Sequence, residues 1–147
     1  MNKLLEKTGK TVVIAIPVLL VGGTEIQTLE VVRILVRNGH KVTICCYYEY
    51  DSTVVAEFES AGATVLLLEL PRSSKTSSYR QLFELFRILY KTFRTTRPDI
   101  VHVQYVAPGL VPILAAKLAG VNKIFATIHY PRFMYGRREE SFVRIAA

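Results

Sequence analysis

The chain alternates short, continuous apolar runs with longer segments in which apolar residues recur every three or four positions. The apolar runs, most of them rich in β-branched residues, are Thr11–Ile16, Lys41–Cys46, Thr64–Leu68, Ile100–Val103 and Lys123–Ile128. Continuous runs of this kind are typical of strands that are buried on both faces of a parallel sheet. The pattern therefore predicts five strands in one sheet.

The segments between these runs have helical periodicity and recognisable helix ends. A first helix is predicted to begin at Thr24, where Thr24-x-x-Gln27 forms a capping box, and to stop at Gly39. Further helices are predicted from Asp51 or Ser52 to Gly62, from Ser78 to about Thr96, from Gly109 to Leu118, and from near Arg138. Parallel strands cannot be joined by tight turns, so this alternation requires right-handed crossovers. We expect an α/β fold in a single domain, with a doubly wound, mostly parallel, Rossmann-like sheet.

Composition agrees with one globular domain over residues 1–147. Hydrophobic residues make up 50% of the chain and charged residues 21%, which excludes a disordered or low-complexity protein. Cys45 and Cys46 are adjacent in a predicted strand and point to opposite faces, so we expect no disulfide and a reducing compartment, the cytoplasm. No helix stop signal follows Phe142, and we expect the chain to be cut within its last helix.

The charge balance favours an anionic partner. The chain carries 19 Lys and Arg against 12 Asp and Glu, a formal charge of +7. Helical spacing places four of these cations on one face of the long third helix, namely Arg80, Arg87, Lys91 and Arg94. The opposite face carries Leu82, Phe86, Leu89 and Phe93. This is either an ordinary solvated face over a core face or a basic stripe for an anionic membrane surface. No nucleic-acid-binding motif accompanies the charge, and no nucleic acid partner is expected.

Two apolar stretches have some features of membrane segments. Residues 11–24 are interrupted by Pro17, and residues 100–116 contain His102, Gln104 and two prolines. The first continues directly into an amphipathic helix, and the second falls short of the roughly 20 apolar residues that a spanning helix needs. Neither stretch is predicted to cross a membrane.

A glycine pair follows the first predicted strand. Open α/β sheets bind ligands outside the carboxyl ends of their strands, and Gly22-Gly23-Thr24-Glu25 lies at such an end. Glycines before a helix allow a ligand to approach the backbone and direct free N–H groups, with the positive end of the helix dipole, at an anion. This indicates a phosphate or sugar site, although a tight turn would also explain the pair. Neither the dinucleotide fingerprint nor the P-loop is present.

The chain has three histidines, and they differ in position. His40 lies in a turn, and His102, in the middle of a strand, favours a hydrogen-bonded core role over catalysis. His129 ends the fifth strand immediately before Tyr130, so its imidazole is predicted to project into the ligand crevice as donor, acceptor or proton carrier. No pair of histidines has metal-ligand spacing supported by Cys or carboxylates, and no metal is predicted.

Several motifs, taken in order, resemble the N-terminal domain of retaining glycosyltransferases of family 4, which have the GT-B fold. The motifs are Gly22-Gly23-Thr24-Glu25, residues 38–43 (NGHKVT), residues 97–102 (RPDIVH) and Thr127-Ile128-His129. In that family two Rossmann-like domains face each other across a cleft, and the N-terminal domain holds the acceptor while the C-terminal domain holds the nucleotide sugar. The resemblance implies that residues 1–147 are the acceptor-side half of a GT-B fold.

The resemblance also implies roles for individual residues. Gly22 and Gly23 would line the cleft near the donor phosphates, and His129 would be the catalytic residue that contacts the transferred sugar or the acceptor. The remaining predicted substrate-binding residues are Thr24, Gln104, Tyr105 and Tyr130. The implied partners are a nucleotide-sugar donor and a glycan or lipid-linked acceptor, with no metal or other cofactor. The family's donor domain, with its two-glutamate motif, has no counterpart here, so we expect this chain alone to be inactive.

Two other classes of function stay open on the sequence. A non-catalytic α/β module that binds phosphates or nucleotides would use the same glycine pair. A peripheral adaptor on the inner face of the membrane would use the basic helix, and that contact is also compatible with an enzyme that acts on lipid-linked acceptors.

Overall fold

Parallel strands and crossover helices alternate along the computed structural model, which describes residues 9–72, 79–105 and 110–129. The strands are β1 (Thr11–Ile16), β2 (Lys41–Cys46), β3 (Thr64–Leu67), β4 (Ile100–Gln104) and β5 (Lys123–Thr127). The helices are α1 (Gly23–Arg37), α2 (Ser52–Ser60), α3 (Tyr79–Thr96) and α4 (Val111–Leu118). These strands form one parallel sheet in the order β3-β2-β1-β4-β5. The predicted Rossmann-like fold is confirmed, and the helix predicted near Arg138 lies outside the described residues.

Alternate residues along the strands pack into two separate hydrophobic cores, one on each face of the sheet. Val12, Ile14 and Ile16 of β1 belong to the core beneath α1 and α2, whereas Val13 and Ala15 belong to the core beneath α3 and α4. Strand β1 is therefore buried on both faces, as its continuous apolar run predicts. The two cores fill both faces of the sheet with apolar side chains. Polar side chains lie instead at the carboxyl ends of β1, β4 and β5.

The helix ends agree with the sequence at two points and differ at one. The Asp51 carboxylate accepts a hydrogen bond of 2.7 Å from the Thr53 N–H and caps α2, and Gly39 follows α1 with φ +80°. The capping box at Thr24 is wrong, since α1 begins at Gly23 with Gly22 as an N-cap that has no side chain to donate or accept. Thr24 lies inside the first turn, and its hydroxyl is bonded elsewhere.

The adjacent cysteines are free and buried on opposite faces of β2. Burial raises the pKa of Cys45 to about 12 and that of Cys46 to about 11. Reactive thiols need a lowered pKa and access to solvent, and these have neither. Their contribution is to the core.

Candidate functional site

The carboxyl edge of the sheet brings together four of the predicted site residues. The Thr24 and Tyr105 hydroxyls share a hydrogen bond of 2.7 Å. The Tyr105 ring lies against the His129 imidazole, with centroids 4.6 Å apart, and His129 Nε2 lies 2.6 Å from Gln104 Oε1. We call these four residues the polar cluster. It connects the first turn of α1 with the ends of β4 and β5.

Strand register explains how the distant parts of the chain meet. Gln104, the last residue of β4, pairs with Thr127, the last residue of β5. Since side chains alternate along a strand, His102 and Gln104 point to the same face, and each contacts a residue on the β5 side. His102 Nε2 lies 2.6 Å from Thr127 Oγ1, one step below the contact between Gln104 and His129. The predicted hydrogen-bonded role of His102 is confirmed.

Tyr105 turns the chain at the end of β4. Its φ of +67° lies in the left-handed region, which is uncommon for a bulky residue and costs energy. Its N–H still donates to the Thr127 carbonyl at 3.1 Å. The turned residue lies with its hydroxyl on Thr24 and its ring on His129, so it links the two sides of the polar cluster.

The contact with Gln104 fixes which nitrogen of His129 carries the proton. An amide oxygen only accepts hydrogen bonds, so Nε2–H is the donor to Gln104 Oε1. In the neutral ring, Nδ1 is then the atom with a lone pair. Burial lowers the pKa of His129, an effect that the charge of Glu25 opposes, and the neutral ring dominates at neutral pH. His129 therefore presents a hydrogen-bond acceptor at Nδ1.

His102 and His129, which are both half-buried, predict how stability changes with pH. Burial lowers the pKa of both His102 and His129 below the ordinary value of 6.5. The unfolded chain therefore binds more protons than the folded chain below that pH, and the free energy of unfolding is expected to fall as the pH drops from about 7.5 to about 5.5. Urea unfolding curves measure this, and a His102→Gln/His129→Gln variant should lose less stability over the same interval. A chain that became more stable on acidification would contradict the assignment.

Neither glycine of the pair is required by a tight turn, which corrects that explanation. Gly22 is extended, with φ −166°, and neither glycine has a positive φ. A Cβ on Gly22 would lie 2.6 Å from Glu25 Oε2, whereas a Cβ on Gly23 would have no other heavy atom within 4 Å. Gly22 thus makes room for the Glu25 carboxylate. Gly23 leaves the first turn of α1 open to approach from outside.

Glu25 is the site residue to which the sequence analysis assigned no role. Its side chain is only 8% exposed, and it is the acidic residue in the first turn of α1. An acidic residue there ordinarily stabilises a helix from the surface. The signal that separates Glu25 from that ordinary case is the preceding glycine, because Gly22 provides the space into which the carboxylate folds.

Helix α3 carries exposed aromatic residues beside its basic face. Its buried line is Leu85, Leu89 and Phe93, so the predicted Leu82 and Phe86 flank that line half-buried rather than belonging to it. All four predicted basic residues, Arg80, Arg87, Lys91 and Arg94, are exposed. Tyr79 and Phe83 beside them are 92% and 66% exposed. Exposed aromatic rings next to cations are not what solubility alone favours.

Two further predictions concern Tyr130 as a substrate-binding residue and the absence of a metal site. Tyr130 lies outside the described residues. Within residues 9–72, 79–105 and 110–129, no group of three or more His, Cys, Asp or Glu side chains is arranged to hold a metal ion.

The fold and the site together define a Rossmann-like α/β domain whose candidate binding groups lie at the carboxyl edge of its sheet. Residues 21–146 match the family model of Glycosyltransferase Family 4. Because the match covers most of the chain, the protein belongs to glycosyltransferase family 4. No curated protein sequence matches it.

Solved glycosyltransferases share the fold at low sequence identity. A glycosyltransferase from Rickettsia africae superposes with a TM-score of 0.63 at 23% identity, covering 88% of this chain and 34% of its own. MurG from Acinetobacter baumannii superposes with a TM-score of 0.63 at 16% sequence identity, and the match covers 92% of this chain and 39% of MurG. The calicheamicin glycosyltransferase CalG4 superposes with a TM-score of 0.57 at 18% sequence identity, and the match covers 94% of this chain and 37% of CalG4. The chain therefore corresponds to half of a GT-B fold and spans a little over a third of the length of these proteins.

Proposed function

We propose that this chain is the acceptor-side N-terminal domain of an enzyme that transfers a sugar from a nucleotide-sugar donor to a glycan or lipid-linked acceptor. In this proposal a second domain binds the donor, and the chain alone does not complete the reaction. The observation that carries the proposal is the polar cluster, which joins α1, β4 and β5 at the sheet edge where open α/β sheets bind ligands. Family membership supplies the reaction class.

The polar cluster suits a substrate rich in hydroxyl groups. His129 Nδ1 can accept a hydrogen bond from a sugar or acceptor hydroxyl while Nε2 stays bound to Gln104. Gln104 itself is 3% exposed, so its amide holds the imidazole rather than the substrate. Fixing the ring in one orientation pre-organises the acceptor side, which is where catalysis gains from positioning. His129 is thus the proposed catalytic residue, and Thr24, Tyr105 and Tyr130 are proposed to bind substrate.

The open first turn of α1 suits the donor phosphates. Transfer from a nucleotide sugar releases a diphosphate, whose charge must be stabilised as it develops. Helix N-termini do this with backbone N–H groups and the positive end of the dipole. Gly23 has no side chain in the way, and the position that a Cβ would take there has no atom of another part of the chain within 4 Å, so phosphate oxygens can approach its backbone. Gly22, the N-cap residue of α1, lies next to Gly23 at the same edge of the sheet.

A Gly23→Ala substitution separates this role from a structural one. The added methyl group meets open space in the folded chain, so the free energy of unfolding is expected to stay within about 0.5 kcal/mol of wild type. The same methyl group would displace phosphate oxygens from the backbone and raise the KM for the nucleotide sugar about tenfold or more, the loss of roughly one charge-assisted hydrogen bond. Unfolding curves and donor titrations of the two-domain enzyme measure both. An unchanged KM would remove Gly23 from the donor site.

The function itself is tested with and without a donor-binding domain. Transfer of labelled sugar from a panel of nucleotide sugars to glycan and lipid acceptors is expected only when the donor domain is supplied, either joined to this chain or as a separate protein. Tight binding of nucleotide sugars or free phosphate by this chain alone, with no transfer in either arrangement, would favour the non-catalytic module instead.

A second proposal, compatible with the first, is that α3 lies on the anionic inner face of the membrane while the rest of the chain stays in the cytoplasm. The observation that favours it is the exposure of Tyr79 and Phe83 beside the four basic residues of α3. Basic residues with aromatic neighbours are the pattern of helices that lie in the membrane interface. Among the helices described, none is long and apolar enough to cross a bilayer.

A further inference from the structure

The Tyr105 side chain contacts the side of the sheet opposite to the one that strand alternation assigns to it. Val101 and Val103 of β4 belong to the core beneath α3 and α4, and an extended continuation of the strand would point Tyr105 the same way. Instead, the Tyr105 hydroxyl lies 2.7 Å from Thr24 Oγ1 in α1, the helix that covers the other face. The left-handed backbone, with φ +67°, turns the side chain to the α1 side.

No helix end accounts for the left-handed backbone of Tyr105. Positive φ values occur just after α1, α2 and α4, at Gly39, Gly62 and Gly120. Arg97, with φ +44°, immediately follows α3. The left-handed conformation is ordinary at the ends of helices. Tyr105 follows a strand instead, so its conformation costs energy that the contacts around it must offset. Residues held in this way cluster at sites where function needs a specific geometry.

Contacts at three parts of Tyr105 hold it in this conformation. Its N–H donates to the Thr127 carbonyl at 3.1 Å, and its hydroxyl shares the hydrogen bond with Thr24. Its ring lies against the His129 imidazole, with centroids 4.6 Å apart and planes inclined by 47°. The imidazole in turn donates its Nε2–H to the buried Gln104. His129 is therefore held by a hydrogen bond at one ring atom and by an aromatic neighbour beside the ring.

We propose that Tyr105 is a positioning residue that acts through His129, with the Thr24 hydroxyl fixing the tyrosine ring against the imidazole. One hydrogen bond to Gln104 leaves the imidazole able to pivot about Nε2–H, and the adjacent tyrosine ring blocks that motion. The orientation of the imidazole then depends on the first turn of α1, the segment proposed to meet the donor phosphates. The proposal rests on the proposed function for the use made of the fixed imidazole, whereas the contacts themselves need no substrate.

The test measures by NMR how fast the His129 Nε2–H proton exchanges with water in the 147-residue chain. Tyr105→Phe and Thr24→Val each remove a hydroxyl from the same hydrogen bond. Each is expected to speed the exchange about three- to tenfold, the equivalent of one neutral hydrogen bond. Thr24→Ser keeps a hydroxyl and should keep the wild-type rate. The matched control is Tyr50→Phe, which removes a hydroxyl that donates to Glu69 at 2.8 Å and should change nothing.

Two results would overturn the proposal in this experiment. One is an exchange rate that stays at the wild-type value in both Tyr105→Phe and Thr24→Val, and the other is an equal acceleration in Tyr50→Phe. A double variant, Thr24→Val/Tyr105→Phe, adds a third criterion. It should exchange no faster than either single variant, because both substitutions remove one shared contact. Accelerations that multiply in the double variant would also overturn the proposal.

A second measurement in the wild-type chain keeps the proposal testable if the variants do not fold. Nuclear Overhauser contacts between the ring protons of Tyr105 and those of His129 are expected, since the two rings lie against each other. Their absence would overturn the proposal. Neither measurement involves sugar transfer, so failure here and failure of the proposed function are separate results.

Discussion

Replacing His129 with alanine is expected to lower the rate of sugar transfer by the proposed two-domain enzyme by about 10²–10⁴-fold, the usual contribution of a positioned proton-transfer group. The substitution removes the Nδ1 acceptor, and it leaves Gln104 and Tyr105 without the ring that both contact. His129 lies beyond the last residue of β5 and is only half-buried, so the fold should survive. The rate is measured with labelled nucleotide sugar under saturating donor and acceptor.

The matched control for this variant is His40→Ala. His40 lies before β2, at the amino edge of the sheet, where its Nδ1 accepts a hydrogen bond from the Lys10 N–H at 3.0 Å. Its removal should change the transfer rate by no more than about twofold, since surface substitutions away from a site have small effects. A His129→Ala enzyme as fast as the His40→Ala enzyme would exclude His129 from the site.

Replacing all four basic residues of α3 with glutamine is expected to weaken binding to anionic vesicles about a thousandfold. Each cation near an anionic surface contributes about 1 kcal/mol, and four of them are lost together in this variant. The variant residues are Arg80, Arg87, Lys91 and Arg94. Since all four are exposed, the substitutions leave the buried line of α3 intact. Flotation with vesicles of rising anionic lipid content measures the partition coefficient.

A second quadruple variant distinguishes a local surface from net charge. It removes four exposed cations at the amino edge of the sheet, Lys10, Arg37, Lys41 and Lys123. Both variants lose the same charge, so non-specific attraction predicts equal weakening. The membrane proposal predicts that the control variant keeps most of its vesicle binding. It also predicts that adding Phe83→Ser to the quadruple variant of α3 weakens vesicle binding further. Equal loss in both quadruple variants, or wild-type binding that ignores the anionic lipid, would contradict it.

Most of the fold follows from local patterns that the sequence states directly. The continuous run at β1 predicts burial on both faces, and both faces are buried. The position of Gly39 predicts the end of α1, and Asp51 predicts the start of α2, because each residue type solves a specific backbone problem at a helix end. The rule that ligands meet the carboxyl ends of parallel strands selects His129 and the segment Gly22-Gly23-Thr24-Glu25 as neighbours of one edge, whereas Gln104 and Tyr105 are added only by the family resemblance.

The parts that sequence reasoning missed depend on contacts between distant residues. Thr24 has the spacing of a capping residue, yet its hydroxyl bonds to Tyr105, which is 81 residues away. From sequence alone, the glycine pair fits a turn and a ligand site equally well. The space that the Glu25 carboxylate needs beside Gly22 is visible only in the folded structure. Helical periodicity places the basic residues of α3 correctly, whereas the exposure of Tyr79 and Phe83 depends on how that helix rolls onto the sheet.

The most direct test of the account is a map of where substrates touch this chain. Isotope-labelled protein titrated with nucleotide sugar and acceptor, with the donor domain present, is expected to show its largest NMR shift changes at Gly23, Thr24, Tyr105 and His129, all at the carboxyl edge. Changes confined to the amino edge, or to the groove between α1 and α2 that Arg33 and Glu57 line, would contradict a sugar-transfer site built on the polar cluster.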